Sequence, residues 1–271
     1  MAVQDSTNED NTDSDNQQPQ DQDDDDIDIN PLHIAIEEQH NQPNTNSSVS
    51  ESLQKHHIAS IDTTLLTRIL PSQGLSFQLW PAATTLVNFL DRHLTDPTTS
   101  PLSNLLTNRP YHSLRILELG SGTGLVGIAA ASVLGANVTI TDLPHVLSNL
   151  RFNAELNNKA IAFRGGCVDV QALRWGEVED FEGLVVDGPF DAVLGSDVVY
   201  YEELFEPLLK TLCWLLSDGG VFLMAHLKRW KKESGFFRKA RKVFRVEKVH
   251  TDAPLQGSRN GVVVYSFASK K

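Results

Sequence analysis

Apolar positions along this chain change period several times, and each change marks an element. From His56 to Leu70 they alternate with polar ones, which predicts the two short strands of a hairpin. After a turn at Pro71–Gly74, Leu86, Phe89, Leu90 and His93 recur at helical spacing, with Pro81 in the first turn behind Trp80. A loop over 95–113 carries Pro97, Pro101 and Pro110. Leu114, Ile116, Leu117 and Leu119 then read as a buried strand, and LVGIAAASVLG from Leu125 as a helix. ANVTITD, ending at Asp142, is the next strand, and LPHVLSNLRFNAELN its helix. AIAFRGGCV, 160–168, reads as a third strand broken at Gly165-Gly166, with VQALRWGE as a loop. FDAVLGSD, 190–197, is the fourth; the helix over 202–216 turns Leu204, Leu208, Leu212 and Leu215 or Leu216 inward. Asp218-Gly219-Gly220 is a turn and VFLMAHL the fifth strand. A helix over 232–244 buries Phe236 or Phe237, Ala240 and Phe244. RVEKVHTD and GVVVYSFASK close the pattern as two strands joined at Pro254 and Gly257.

The order of these elements sets the topology. Strand–helix alternation through five strands predicts a parallel, doubly wound sheet with right-handed crossovers. The last two strands have no helix between them, so they pair antiparallel. The expected fold class is α/β: a doubly wound, Rossmann-like seven-stranded sheet with a C-terminal antiparallel hairpin. The domain is expected over 55–271, with the N-terminal hairpin and helix at 55–94 and the core at 114–271.

Chemistry enters at the glycine turn. Gly120, Gly122 and Gly124 join strand to helix, the unit that binds nucleotide-like ligands at the C-terminal end of a parallel sheet. Gly122, Gly124 and Gly127 also fit the dinucleotide spacing G-x-G-x-x-G, so a nicotinamide cofactor must be weighed. Glu118 argues against it. A carboxylate beside the loop repels a pyrophosphate and attracts an ammonium group. S-adenosylmethionine has an amine, a sulfonium and no phosphate. Asp142, at the tip of the second strand, can accept hydrogen bonds from a ribose diol, and can also cap the helix that follows. Trp175 sits in a loop where it either stacks on adenine or packs on the surface. Asp169 is a further candidate for the adenine edge, but reads first as a solvated loop Asp.

Charge changes the picture at the N-terminus. Residues 1–54 hold 14 Asp or Glu and no Lys or Arg, which accounts for the net charge of −12. Such a segment cannot bury enough apolar surface to offset its ordering entropy, so a disordered acidic tail is expected over 1–54. Leu32, Ile34 and Ile36 read there first as solvated linker, with a transient helix or docking motif as the alternative. The chain starts without an apolar h-region, and no apolar run approaches the roughly 20 residues of a membrane span. Cys167 and Cys213 show neither metal-ligand spacing nor a disulfide framework, and Cys213 falls in an apolar helical run and reads as core. No metal is expected.

Four motifs in order, ELGSGTGLVGI, the VTITD strand end, LRWG and LGSDVVY, resemble the protein-lysine branch of the class I, seven-β-strand methyltransferases (methyltransferase family 16) over residues 60–270. The resemblance implies S-adenosyl-L-methionine as cofactor, with contacts at Trp80, Gly120, Ser121, Gly122, Asp142, Trp175 and Ser196. Glu118 joins this set from the charge argument. The resemblance also implies that Asp197-Val198-Val199-Tyr200 is the D-x-x-Y motif at the mouth of the acceptor pocket. One departure is LWPAA: relatives usually carry an acidic or polar residue after the Trp, where this chain has Pro81.

Methyl transfer from a sulfonium needs placement and exclusion of water more than it needs a strong acid. Asp197 is expected to attract and orient an incoming ammonium, or simply to cap the next helix. Tyr200 can hold the amine by its hydroxyl or its ring. His226 reads first as a structural residue. Residues 228–248 hold ten Lys or Arg against Glu233 and Glu247, either a solvated face or a contact for an acidic protein or RNA. The expected function is methyl transfer to the side-chain amine of lysine in a non-histone protein. The alternatives are transfer to a small-molecule amine or protein histidine, or a non-catalytic module that binds the cofactor; an oxidoreductase ranks third. A monomer acting on a protein substrate is expected, without nucleic acid or membrane, in the cytoplasm, with the nucleus left open.

Overall fold

The computed structural model describes residues 52–99, 103, 111–254 and 259–270. A hairpin comes first, β1 (Ser52–Ile58) and β2 (Thr63–Ile69). Helix α1 (Pro81–Thr95) follows, with Trp80 as N-cap and Pro81 at the first position, where no intrahelical N–H is needed. Then come β3 (Arg115–Leu119), α2 (Leu125–Leu134) and β4 (Asn137–Asp142). Helices α3 (Leu147–Leu156) and α4 (Asn158–Phe163) precede β5 (Cys167–Ala172). Next are α5 (Val178–Leu184), β6 (Phe190–Ser196), α6 (Phe205–Leu215) and β7 (Leu216–His226). The remaining elements are α7 (Ser234–Val243), β8 (Phe244–Thr251) and β9 (Val263–Ser269).

Seven strands form one sheet in the order β5-β4-β3-β6-β7-β9-β8. The first five run parallel, and β9 lies antiparallel between β7 and β8. Parallel strands covered on both faces need apolar side chains on both. Along β7, Val221, Leu223 and Ala225 pack with α1 and α2 on one face, and Phe222 and Met224 with α6 and α7 on the other. β3 divides in the same way, Ile116 against Leu117 and Leu119. The hairpin is fastened to the core by α3. Asn149, Asn153 and Asn157, four residues apart on one helix face, bond to Arg68 and Leu66 along β2.

Four expectations are corrected. The third strand runs over 167–172 rather than 160–168, and 158–163 is helical. Cys167–Ala172 alternates exposed and half-buried positions, as an edge strand does, whereas Gly165 (φ 79) ends a helix. The Gly165 N–H donates to Ala162 O and the Gly166 N–H to Ile161 O, both bonds of a Schellman cap. Second, Asp218-Gly219-Gly220 is not a separate turn but an irregularity inside β7, which already pairs with β6 at Leu216. Third, Cys213 is exposed, because Leu208, Leu212 and Leu215 define the buried stripe and Cys213 lies one position off it. Fourth, Ser52–Gln54 belong to β1, so the folded segment begins before residue 55. The rest of the expected tail, most of the 95–113 loop and Gly257 lie outside the described residues. Among the described residues no helix is long and apolar enough to cross a membrane.

Candidate active site

β4 and β6 flank β3: the chain runs from β3 to β4 and β5 on one side and then crosses back to β6 on the other, so a crevice opens at the C-terminal ends where the strand order reverses. The glycine loop forms its floor. Gly122 has φ 55, and its N–H donates to Asp142 Oδ2 at 2.8 Å. A Cβ on Gly122 would stand 3.0 Å from Ser76 O, so the turn before α1 rests on the loop. The other oxygen of Asp142 accepts the Leu143 N–H at 2.7 Å. Burial raises the Asp142 carboxyl pKa, opposed by those two N–H groups and by His145. Each carboxylate oxygen retains a second lone pair for a ligand hydroxyl. Ser121 ties the loop to β4: its Oγ donates to Glu118 O at 3.3 Å and accepts the Thr141 N–H at 3.0 Å.

Glu118 lies beneath this loop, 1 % exposed, and its Oε2 accepts the Gly127 N–H at 2.9 Å. Gly127 is the third residue of α2, and the N-cap, Gly124, has no side chain to take that N–H. Glu118 supplies the missing cap from the preceding strand, where the helix dipole also favours a carboxylate. Burial pushes its carboxyl up to about 8, against the bonds from Gly127 and Ser121 and with help from the Asp142 charge. Through the Gly127 bond Glu118 braces the loop from below, while its Oε1 is buried without a hydrogen-bond partner among the described residues.

Trp175 covers the loop from above. A Cβ on Gly120 would lie 3.1 Å from the indole Cζ2 and 3.3 Å from Val198 Cγ1, so the turns after β5 and β6 meet there. The Trp175 turn is held to α6, with the Gly176 N–H donating to Thr211 Oγ1 at 2.8 Å. Ser196 is the last residue of β6, half-buried and in register with Ala225. Tyr200 is largely buried; burial first, then the charges of Asp142 and Tyr201, push its phenol up to about 12. Its ring meets the Tyr201 ring at 4.9 Å, edge-on.

Asp197 follows Ser196 with φ 53, a conformation that Asp tolerates better than most residues. Its N–H donates to Ala225 O at 2.9 Å, which turns the side chain toward the end of β7. There Oδ1 accepts the Leu227 N–H at 2.9 Å, and Oδ2 accepts from Arg229 Nη2 at 3.0 Å. His226 Nδ1 lies 3.5 Å from Oδ1. Burial alone would raise the Asp197 pKa, but its contacts with His226 and Arg229 hold it at about 2. The carboxylate expected to meet an ammonium from outside thus has a cation from its own chain. Trp80 joins the group through the same arginine: the guanidinium carbon sits 5.2 Å from its ring centroid, and its Nε1 donates to Leu75 O at 3.1 Å.

Arg229 and Glu233 were hidden in the cationic run, although Glu233 is one of only two acids between 228 and 248. An acid so rare in such a run is the signal that finds it. Asp169 is exposed at mid-strand and bonds Gln171. Among the described residues no His, Cys, Asp and Glu group could hold a metal ion.

The profile of the lysine methyltransferase family matches residues 64–243. The chain belongs to that family. This lysine methyltransferase is 37 % identical over 230 residues to protein N-lysine methyltransferase METTL21A of Danio rerio, covering 83 % of this chain and 94 % of the relative. It is 30 % identical over 235 residues to protein-lysine methyltransferase METTL21E of Mus musculus, covering 80 % and 89 %. Among solved structures, the 16S rRNA N2 G1207 methyltransferase RsmC of T. thermophilus, in complex with AdoMet and guanosine, shares the fold. Its TM-score is 0.52 at 18 % identity, over 82 % of this chain and 51 % of that one. A transferase of Pyrococcus horikoshii, PH0793, matches with a TM-score of 0.50 at 14 % identity, over 82 % and 74 %. The methyltransferase uses S-adenosylmethionine as donor, and its crevice fits such a group. The cradle at Gly120 and Gly122 is one that a Cβ would fill, and the Asp142 carboxylate lines it. That charge suits a cation and opposes a pyrophosphate, whereas Glu118, its carboxyl pushed up to about 8, is mostly neutral beneath it.

Proposed function

We propose that this methyltransferase acts on the side-chain amine of a lysine in a non-histone protein. The observation that carries the reading is the position of Asp197–Tyr200. The segment leaves the tip of β6 beside the glycine loop, with Val198 against Gly120 and Tyr200 in the field of Asp142. The donor, when bound, supplies an electrophilic methyl carbon and a neutral thioether as leaving group. The chain's own residues do the rest. Gly120, Ser121, Gly122 and Asp142 form the floor for the donor, Trp175 and Ser196 its walls, and Trp80 the side toward α1. Asp197 and Tyr200 line the entry of the acceptor amine, and the surrounding apolar side chains exclude water. The protein is taken to work as a cytoplasmic monomer, with the nucleus open, on a protein and without nucleic acid or membrane.

Tritium transfer from labelled S-adenosylmethionine into cell extract, followed by mass spectrometry of the labelled products, tests this. Label on lysine of a non-histone protein is expected. Label on histidine, on a small amine or on no product at all would overturn the reading.

A further inference from the structure

Behind Asp197 lies a closed set of charges. Its side chain is 6 % exposed and that of Arg229 12 %. His226 Nε2 is 2.9 Å from Glu233 Oε2, which also accepts the Arg229 N–H at 3.2 Å. Arg229 is fixed on three sides: by Asp197, by Leu227 O at 3.2 Å from Nη1, and by the Trp80 ring. Outside this set, Asp142 and Tyr201 act on Tyr200, His145 acts on Asp142, and Arg241 and Glu233 act on Tyr265. Two carboxylates thus meet one permanent cation and one imidazole.

A bare carboxylate beside a lysine pocket opposes the reaction. It holds the incoming amine as ammonium, by about 1–3 pKa units for opposite charges in close contact. An ammonium has no lone pair to receive a methyl group. A neighbouring cation acts the other way. We propose that Arg229 is a positioning residue for the transfer: paired with Asp197, it cancels that carboxylate's field at the acceptor and lets the lysine amine release its proton to water. This rests on lysine being the acceptor. The freed lone pair then forms the N–C bond as the C–S bond of the sulfonium opens and its electron pair stays on sulfur. No other reactant is required.

The test is the pH dependence of kcat, which reports groups in the substrate complex. Wild type, Arg229→Gln, Arg229→Lys and Asp197→Asn are compared with saturating labelled S-adenosylmethionine and the acceptor protein isolated from the labelled extract. Arg229→Gln takes from Asp197 its permanent cation and leaves it His226 and the Leu227 N–H, and its acid limb moves to higher pH by about 1–3 units. Arg229→Lys keeps the charge and returns the limb toward wild type. Asp197→Asn leaves the guanidinium alone, and the limb moves to lower pH. Loosened packing lowers kcat at every pH and does not produce opposite shifts. An unmoved limb in Arg229→Gln, or a shift in the same direction in Asp197→Asn, overturns the proposal. Calorimetry with S-adenosylhomocysteine reads whether each variant is folded; if Arg229→Gln does not bind it, the lysine and asparagine variants decide. A wild-type enzyme that labels no lysine removes the acceptor reading and this inference with it. One that labels lysine while the limbs stay put removes only this inference.

Discussion

The side-chain amide of Asn153 closes a pair of hydrogen bonds with the backbone of Arg68: Oδ1 accepts its N–H at 2.8 Å and Nδ2 donates to its carbonyl at 3.2 Å. The same Nδ2 donates to Thr123 O at 2.8 Å, inside the glycine loop. One fully buried side chain therefore serves as a strand partner for β2 and as a tie to the glycine loop. Asn157 repeats the pairing at Leu66.

Asn153→Ala removes this partner from the Arg68 N–H and Thr123 O, while Arg68 O keeps Asn149 Nδ2 at 3.3 Å. The expected loss of stability is about 1–3 kcal/mol, the cost of an unsatisfied buried polar group. Denaturant unfolding measures the loss, and hydrogen exchange should quicken at Arg68 before the central strands. Unchanged exchange at Arg68 would show that the hairpin is held by other contacts.

Gly122→Ala sets a side chain at φ 55, against Ser76 O at 3.0 Å. Left-handed backbone costs a non-glycine residue roughly 1–2 kcal/mol. Because the Gly122 N–H also orients Asp142, affinity for S-adenosylhomocysteine should fall about tenfold or more, the equivalent of 1.4 kcal/mol or more. Calorimetry that finds wild-type affinity would contradict this.

Glu118 is protonated more readily in the folded chain, at about 8 against 4.5 when free. Its contribution to stability is intact below 4.5 and is lost as pH rises toward about 8. Glu118→Gln keeps an acceptor for the Gly127 N–H and removes the titration. The melting temperature of the variant should gain on wild type steadily across that interval and level off above it. Parallel melting curves across the interval would refute the buried-acid assignment.

His226 also binds its proton more tightly when folded: burial lowers its pKa, but the contacts with Asp197 and Glu233 outweigh that. The stability it contributes is full below 6.5 and declines as pH climbs through the raised value. Asp197 acts on the opposite side, contributing above 3.8 and losing its share as pH falls toward about 2. His226→Leu leaves buried Glu233 with the Arg229 N–H but without its ion-pair partner, which should cost about 3–5 kcal/mol at neutral pH. Adding Glu233→Leu should recover much of that loss in urea unfolding.

Local signals in the chain announced the glycine loop, Asp142 and the closing antiparallel strands. Each depends on residues adjacent in sequence: a period of two, a run of glycines, a missing helix. β5 escaped because AIAF and CVDV are similarly apolar over four residues, and only the Schellman bonds of Gly165 and Gly166 separate helix from strand. The role of Glu118 escaped because its partner, the Gly127 N–H, exists only once α2 has formed. Asp197 was visible as the head of a motif, but Arg229 lies 32 residues further on. It arrives only because β7 pairs with β6 and ends level with it.

The place of β9 has a consequence during translation. β7, which ends at His226, gains its second neighbour only from Val263–Ser269, and β8 has no seat on the sheet until that strand slides in between. While those seven residues are still inside the ribosome, the nascent chain exposes an unpaired apolar edge next to the unfinished catalytic pocket. Completion of the sheet beside β7 therefore waits for β9 to emerge, and until then that edge is the kind of unpaired strand on which aggregation starts.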